Sequence, residues 1–141
     1  MKTHRIRLAG PWEARLLDEE CQPGGDIVRC QLPYSVPVSQ SRCGVLLLRG
    51  FHRPTGIDSS TVLRIVLKAN TQPHEVRINN RPITTGERDG VSPSVHDTEF
   101  REYVFDITHS NETFNQLSVG FRTSDAADPV TLETAWLEIL E

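Results

Sequence analysis

Apolar residues recur at every second position along most of this chain. The clearest run is residues 61–83, TVLRIVLKANTQPHEVRINNRPI, where Leu63, Ile65 and Leu67 alternate with Val62, Arg64, Val66 and Lys68. Val76 and Ile78 then alternate with Glu75, Arg77 and Asn79. A period of two in β-branched and aliphatic residues, interrupted by Pro and Asn, predicts paired strands and not helix. The segment is expected to form the central hairpin of the fold. After its second strand a tight Asn79-Asn80 turn leads into Arg81-Pro82-Ile83, because both asparagines tolerate a left-handed backbone.

The same alternation predicts strands over 6–8, 12–17, 27–32, 45–51, 103–107, 117–121 and 132–140. Gly10-Pro11 is the bend of an opening strand pair. Residues 33–42, rich in Pro and Ser, read as a connection, 84–99 as the longest loop and 124–129 as a turn. Helical signal is confined to one turn over 108–114, with Ser110 as its cap. About eight or nine short strands in a single domain, 1–141, predict an all-β antiparallel sandwich or barrel. Trp12 is expected as a core plug or as a lid at one end of the sandwich. Asp106 is placed to bond backbone amides at a strand end, beside Thr108.

Composition narrows the classes. A length of 141 residues suffices for one sizeable core, and 37% hydrophobic content suits sheets with one wet face each. A net charge of -4 with no basic run gives no footprint for nucleic acid. Arg49, Arg53, Arg64, Arg77 and Arg81 alternate with apolar residues and are expected on outward strand positions. No apolar run reaches membrane-spanning length, so no membrane partner is expected. The opening MKTHRIRLAG lacks the apolar core of a signal peptide, so a cytoplasmic location is expected, for a whole protein or a fragment of a larger one. Cys21, Cys30 and Cys43 are odd in number and not spaced as a zinc knuckle, so reduced thiols are expected.

Five short motifs then fall in a telling order: GPWE at 10–13, LLLRGF at 46–51, VRINNRPI at 76–83, FDIT at 105–108 and NQLSVGF at 115–121. This succession resembles the N-terminal sugar-binding domain of family 2 glycoside hydrolases, such as β-galactosidases and β-glucuronidases. More broadly it resembles the galactose-binding-domain-like jelly roll. The resemblance implies a jelly-roll β-sandwich over nearly the whole chain. One departure is Asn80, where the family's turn usually has Gly. The family's catalytic carboxylates lie in a separate barrel domain, for which this chain has no room, so hydrolysis does not transfer. What carries over is an architecture, with a tendency to bind sugar or to pack against a partner domain.

A sugar surface needs an aromatic platform and planar polar groups that match hydroxyl pairs. The candidate carbohydrate-binding residues are Trp136, Tyr34, Tyr103, Arg77, Asn79 and Arg81. Trp136 is out of phase with Leu137 and Ile139, which puts its ring on the outer face of its sheet; the alternative is Trp136 inward and Leu137 outward. No catalytic residue, cofactor or metal ligand is assigned. His4, His52, His74, His96 and His109 form no metal-binding pattern. The acidic run Asp18-Glu19-Glu20 is a loop with calcium-ligand chemistry but reads first as solvated, and Asp125 and Asp128 are uncommitted. Asn111-Glu112-Thr113 matches a glycosylation sequon. The expected function is therefore a non-catalytic module that binds carbohydrate weakly or serves as an accessory domain, and the expected state is a monomer. The alternative is a protein-interaction scaffold without a sugar site, using an apolar outer face of Val62 and Val66 with Leu46 and Leu48.

Overall fold

The structure is a computed structural model that describes residues 2–18, 20–24, 27–36, 43–83, 86–87, 100–122 and 130–141. Most of the expected 84–99 loop, the 124–129 turn, residues 37–42 and the side chains of Glu19, His96, Asp125 and Asp128 lie outside the described residues.

Twelve strands form among the described residues: β1 (Thr3–Arg7), β2 (Trp12–Leu17), β3 (Val28–Cys30), β4 (Tyr34–Val36), β5 (Gly44–His52) and β6 (Val62–Ala69), then β7 (Glu75–Ile78), β8 (Arg81–Pro82), β9 (Gly86–Glu87), β10 (Arg101–Asp106), β11 (Phe114–Arg122) and β12 (Val130–Leu140). They make two antiparallel sheets. Sheet A runs β1-β12-β6-β10-β9, with β4 also paired to β12. Sheet B runs β3-β2-β5-β11-β7-β8. The architecture is the expected all-β sandwich. It has more strands than the eight or nine expected, because the two- and three-residue strands β3, β4, β8 and β9 are too short for alternation to show.

The core lies between the sheets. Leu63, Ile65 and Leu67 of β6, Phe105 of β10 and Ala135 and Leu137 of β12 close it from sheet A. Trp12 and Ala14 of β2, Val45 and Leu47 of β5, Val76 and Ile78 of β7, and Leu117, Val119 and Phe121 of β11 close it from sheet B. Each large apolar side chain buried here contributes about 1.5–3 kcal/mol. Trp12 is wholly buried as expected, and its indole N–H donates to Leu8 O at 2.7 Å, so its polar atom is not stranded in the core.

Two expectations about pairing and one about helix are corrected. Residues 61–83 are not one hairpin: β6 pairs with β10 and β12 in sheet A, whereas β7 pairs with β11 and β8 in sheet B. The opening pair fails in the same way, since β1 pairs with β12 and β2 with β3 and β5. Period-two alternation reports which face a residue takes, not which strand lies beside it. The links at 8–11 and 70–74, with Pro11 and Pro73, carry the chain across the core instead of turning it back in plane. The true hairpin is β7–β8, and Asn79 and Asn80 have the positive φ its turn requires, 52° and 67°. The helical turn expected over 108–114 is also absent: 108–110 form a hydrogen-bonded turn, with Ser110 N–H donating to Ile107 O at 3.0 Å, and Phe114 already begins β11.

Cys21 and Cys43 form a disulfide, Cα–Cα 5.4 Å, which corrects the expectation of three reduced thiols and leaves Cys30 free. The cause is register: β2 pairs with β5 so that Leu17 faces Gly44, and this brings the turn after β2 beside Cys43. Arg49 is also corrected. It pairs with Leu117 and shares the inward phase of Leu47 and Phe51, and its Nε is buried without a hydrogen-bond partner.

Candidate functional site

The outer face of sheet B is a shallow trough, and the register fixes its floor. Arg15, Leu46, Gly120 and Glu75 form one row across β2, β5, β11 and β7. Glu13, Leu48, Ser118 and Arg77 form the next. These rows enclose about 610 Å³, a volume within the range of small-molecule sites. The floor is apolar, built from half-buried Leu46 and Leu48. The rim is polar, with Arg15, Gln22, His74, Arg77, Asn80 and Gln116.

Phe114 extends this face. It follows the same outward phase as Gln116 and Ser118, and its ring is 57% exposed. It stands edge-on to His52, with centroids 5.2 Å apart and planes at 66°. A Cβ on Gly50 would come within 2.9 Å of the ring, so Gly50 makes room for Phe114 where it lies. An exposed ring beside an apolar floor with a polar rim is a surface on which a sugar's apolar face can stack while its hydroxyls bond around it.

The electrostatics of the trough are uneven. Arg77 is tied to Glu75 through Nε and a terminal nitrogen, each 2.7 Å from Oε1, so the two charges offset each other. Arg15 has no hydrogen bond or ion pair among the described residues, and its Nε is buried. Arg122, two residues beyond Gly120 on the same face, is exposed and makes no ion pair among the described residues.

The six candidates from the sequence do not come together. Arg77 lies on the trough, Asn79 and Arg81 beside it on the β7–β8 hairpin. Both ends of the Asn79 amide are committed: Oδ1 accepts from Gln116 N–H at 2.9 Å and Nδ2 donates to Asn115 Oδ1 at 3.0 Å. Tyr34, Tyr103 and Trp136 belong to sheet A. Tyr103 is buried in the core, and Tyr34 is packed against it, with burial and then the nearby Cys30 pushing its phenol up from its ordinary value. Trp136 takes the outer face, with Leu137 buried inward. The Arg5 guanidinium lies 5.1 Å from its ring centroid. Beside it Glu138 is buried and paired to Arg5 at 3.0 Å and Arg64 at 3.8 Å. Val62 and Val66 share this face of sheet A, so they form no common patch with Leu46 and Leu48 on sheet B.

Sequence reasoning missed Phe114, Arg15 and Gly120. Phe114 stood next to an expected turn, and only the extension of β11 to residue 114 gives it a face. The signal was in VLLLRGF: a strand apolar at consecutive positions has one apolar row left over for its outer side.

A second hollow, about 740 Å³, lies at one end of the sandwich between residues 53–61 and 107–113. Most of its polar groups are spent on their own turns. Asp58 Oδ1 accepts from Ser60 N–H at 2.8 Å and Ser60 Oγ at 2.6 Å, which holds its carboxyl below the ordinary value. The Asn111 amide nitrogen donates to Ile107 O and Thr108 O, both at 2.9 Å, so the sequon asparagine is turned inward. Asp106 accepts from Thr108 N–H at 2.9 Å and Thr108 Oγ1 at 2.6 Å, as expected from the sequence. Burial pushes this carboxyl up, but the Thr108 bonds, Arg64 and His109 outweigh it and hold it below the ordinary value. The described residues contain no group of three or more His, Cys, Asp or Glu able to hold a metal, and Asp18 Oδ1 is occupied by the backbone N–H groups of Glu20 and Gln22.

Two antiparallel sheets around one core, with an open trough across one outer face, define an antiparallel β-sandwich. The particular fold is that of glycoside hydrolase family 2 β-glucuronidases over part of their length. Similarity extends to an FMN-binding β-glucuronidase from Facaelibacterium prausnitzii L2-6, with TM-score 0.68, 16% identity, and coverage of 98% of this chain and 22% of that one. A β-glucuronidase from an uncultured Clostridium sp. gives TM-score 0.64 at 16% identity, covering 97% of this chain and 29% of that one. A putative β-galactosidase from Bacteroides fragilis gives TM-score 0.64 at 10% identity, covering 100% and 24%. The chain thus spans less than a third of these proteins, and the likeness is one of fold. No protein-family model and no curated protein matches the chain.

Proposed function

We propose that this chain is a non-catalytic accessory module of a carbohydrate-active system, and that it binds saccharide weakly on the outer face of sheet B. The observation that carries this reading is the trough over Leu46 and Leu48, continued by the exposed Phe114 ring. The fold shared with part of several glycoside hydrolases supports it. So does the state of the perturbed carboxyls: Asp58 and Asp106 are both held below their ordinary value, the wrong direction for a general acid at neutral pH. Titration of the labelled chain with mono- and oligosaccharides, followed by amide NMR shifts, tests it. Shifts should gather at Leu46, Leu48, Phe114, Ser118 and Gly120, and Phe114→Ala should abolish them without unfolding the chain. Silence at millimolar saccharide rejects the reading.

A protein-interaction role is the second reading, favoured by three exposed apolar side chains. Ile6, Ile27 and Val28 are 46%, 45% and 53% exposed. They lie on or beside the edge strands β1 and β3, and the segments that follow these strands are joined by the Leu32 N–H to Ala9 O bond at 3.1 Å. Sedimentation of the native chain against an Ile6→Ser, Val28→Ser variant separates the cases. Self-association lost in the variant favours the scaffold role, and a monomer in both removes it.

A further inference from the structure

We propose that the trough selects acidic saccharides, those carrying a ring carboxylate, and that Gly120 is what keeps it open to them; this rests on the carbohydrate-binding function proposed above.

Gly120 supplies the first observation. Glycine weakens a strand interior and often marks a place where a ligand approaches closely. The three glycines on this face can be told apart. A Cβ on Gly44 would strike Phe121 O at 2.0 Å, so backbone packing demands that glycine. A Cβ on Gly50 would press on the Phe114 ring at 2.9 Å. A Cβ on Gly120 would meet only Glu75 O at 3.5 Å and Leu46 Cδ1 at 4.0 Å, ordinary contacts. Neither packing nor backbone conformation requires glycine there. What a side chain at 120 would take away is the middle of the trough floor, between Leu46 and Glu75.

Charge supplies the second. The chain as a whole is acidic, at -4, yet this face of sheet B carries Arg15, Arg77 and Arg122 against Glu13 and Glu75. Arg77 and Glu75 offset each other, which leaves Arg15 and Arg122 unmatched among the described residues. Arg15 is the stronger anchor, because it lies half-buried beside Leu46 on the trough, where its charge is less screened than that of the exposed Arg122. A ligand carboxylate that meets the planar guanidinium gains charge-assisted hydrogen bonds there. By strand spacing the Arg15 and Arg122 backbones lie roughly 12 Å apart, so the two can serve separate rings of one oligosaccharide. Phe114 and the two leucines then supply the apolar contact and the guanidinium the selectivity.

The test is calorimetric titration of the full chain with oligomers of galacturonate, mannuronate and glucuronate, and with the same oligomers methyl-esterified. Esterification removes the charge and leaves the rings. Acidic oligomers should bind at least about tenfold more tightly than their esters, the gain expected for one charge-assisted hydrogen bond. That margin should shrink as salt is raised. Arg15→Gln should remove it. Gly120→Val should block both ligands while the melting temperature stays the same or rises, which separates an obstructed trough from an unfolded chain. Arg53→Gln, at the other hollow, should change nothing. Equal binding of acid and ester, or a margin that survives Arg15→Gln, overturns the acidic preference and leaves the accessory-module function standing. No binding of either kind overturns both. Binding of a polyglutamate peptide in the trough, with no saccharide binding, shows that it serves an acidic protein segment and overturns the proposal.

Discussion

The side-chain amide of Asn79 donates to Asn115 Oδ1 at 3.0 Å, and through this bond the β7–β8 turn is locked onto the start of β11. Asn115 is wholly buried and uses both ends of its amide elsewhere too: Oδ1 accepts from Glu112 N–H at 2.7 Å and Nδ2 donates to Glu112 O at 2.8 Å. Asn79 in turn accepts from Gln116 N–H at 2.9 Å. The edge of the trough at Asn80 and Gln116 is therefore held by two asparagines.

Asn115→Ala strands the Glu112 N–H and the Asn79 amide, so a loss of about 3 kcal/mol is expected in urea unfolding. Asn79→Gly keeps a backbone suited to positive φ and gives up only the side-chain bonds, for about 1 kcal/mol. If Asn79→Gly proves the worse of the two, the pair is not the clamp described.

Asp106 predicts a pH dependence. Its carboxyl lies below the ordinary value in the folded chain, so the native state binds fewer protons than the unfolded state just below neutral-carboxylate pH. Its stabilising share is complete above the ordinary carboxylate pKa and is lost as pH falls through the folded value. Thr108→Val removes the hydroxyl bond, so the Asp106 side-chain resonance should titrate at higher pH than in the native chain. An unchanged midpoint contradicts the assignment.

Faces were legible in the sequence and partners were not. Alternation gave the burial of β6, β7, β11 and β12 correctly, because a side chain's face follows from its place in the strand. It misled on β1–β2 and β6–β7, since a short connection with a proline can cross the core as well as turn back within a sheet. Asn79-Asn80 and Asp106-Thr108 were readable because their bonds are local. Arg15, Gly120 and Phe114 were not, for they meet only when β2, β5 and β11 lie side by side. The Cys21–Cys43 pairing was hidden for the same reason.

That disulfide closes a sequence separation of 22, for which chain entropy gives a stabilisation of about 3 kcal/mol. Purified without reductant, the chain should show one free thiol, Cys30, whose titration burial shifts upward. Dithiothreitol should lower the melting temperature, and a Cys21→Ser, Cys43→Ser variant should lose that sensitivity. Three free thiols in the native protein would contradict the pairing.

Glu138 is 1% exposed between two arginines on the outer face of sheet A. Removing it leaves Arg5 with Glu102, 3.9 Å away, and Arg64 with the nearby Asp106, both arginines about a third exposed, so Glu138→Ala should cost about 1–3 kcal/mol. Arg5→Ala removes one partner and the cation over Trp136, but Arg64 still faces the carboxylate, so a smaller loss is expected. Equal losses in the two variants, read by thermal denaturation, would show that Glu138 holds no special place.

The central claim is that saccharide binds on the outer face of sheet B. A crystal structure of the chain grown with the uronate oligomer that binds most tightly tests it most directly. The account predicts rings lying over Leu46 and Leu48, a carboxylate against Arg15 and a further ring stacked on Phe114. Saccharide found instead in the hollow between residues 53–61 and 107–113, or on Trp136, would contradict it.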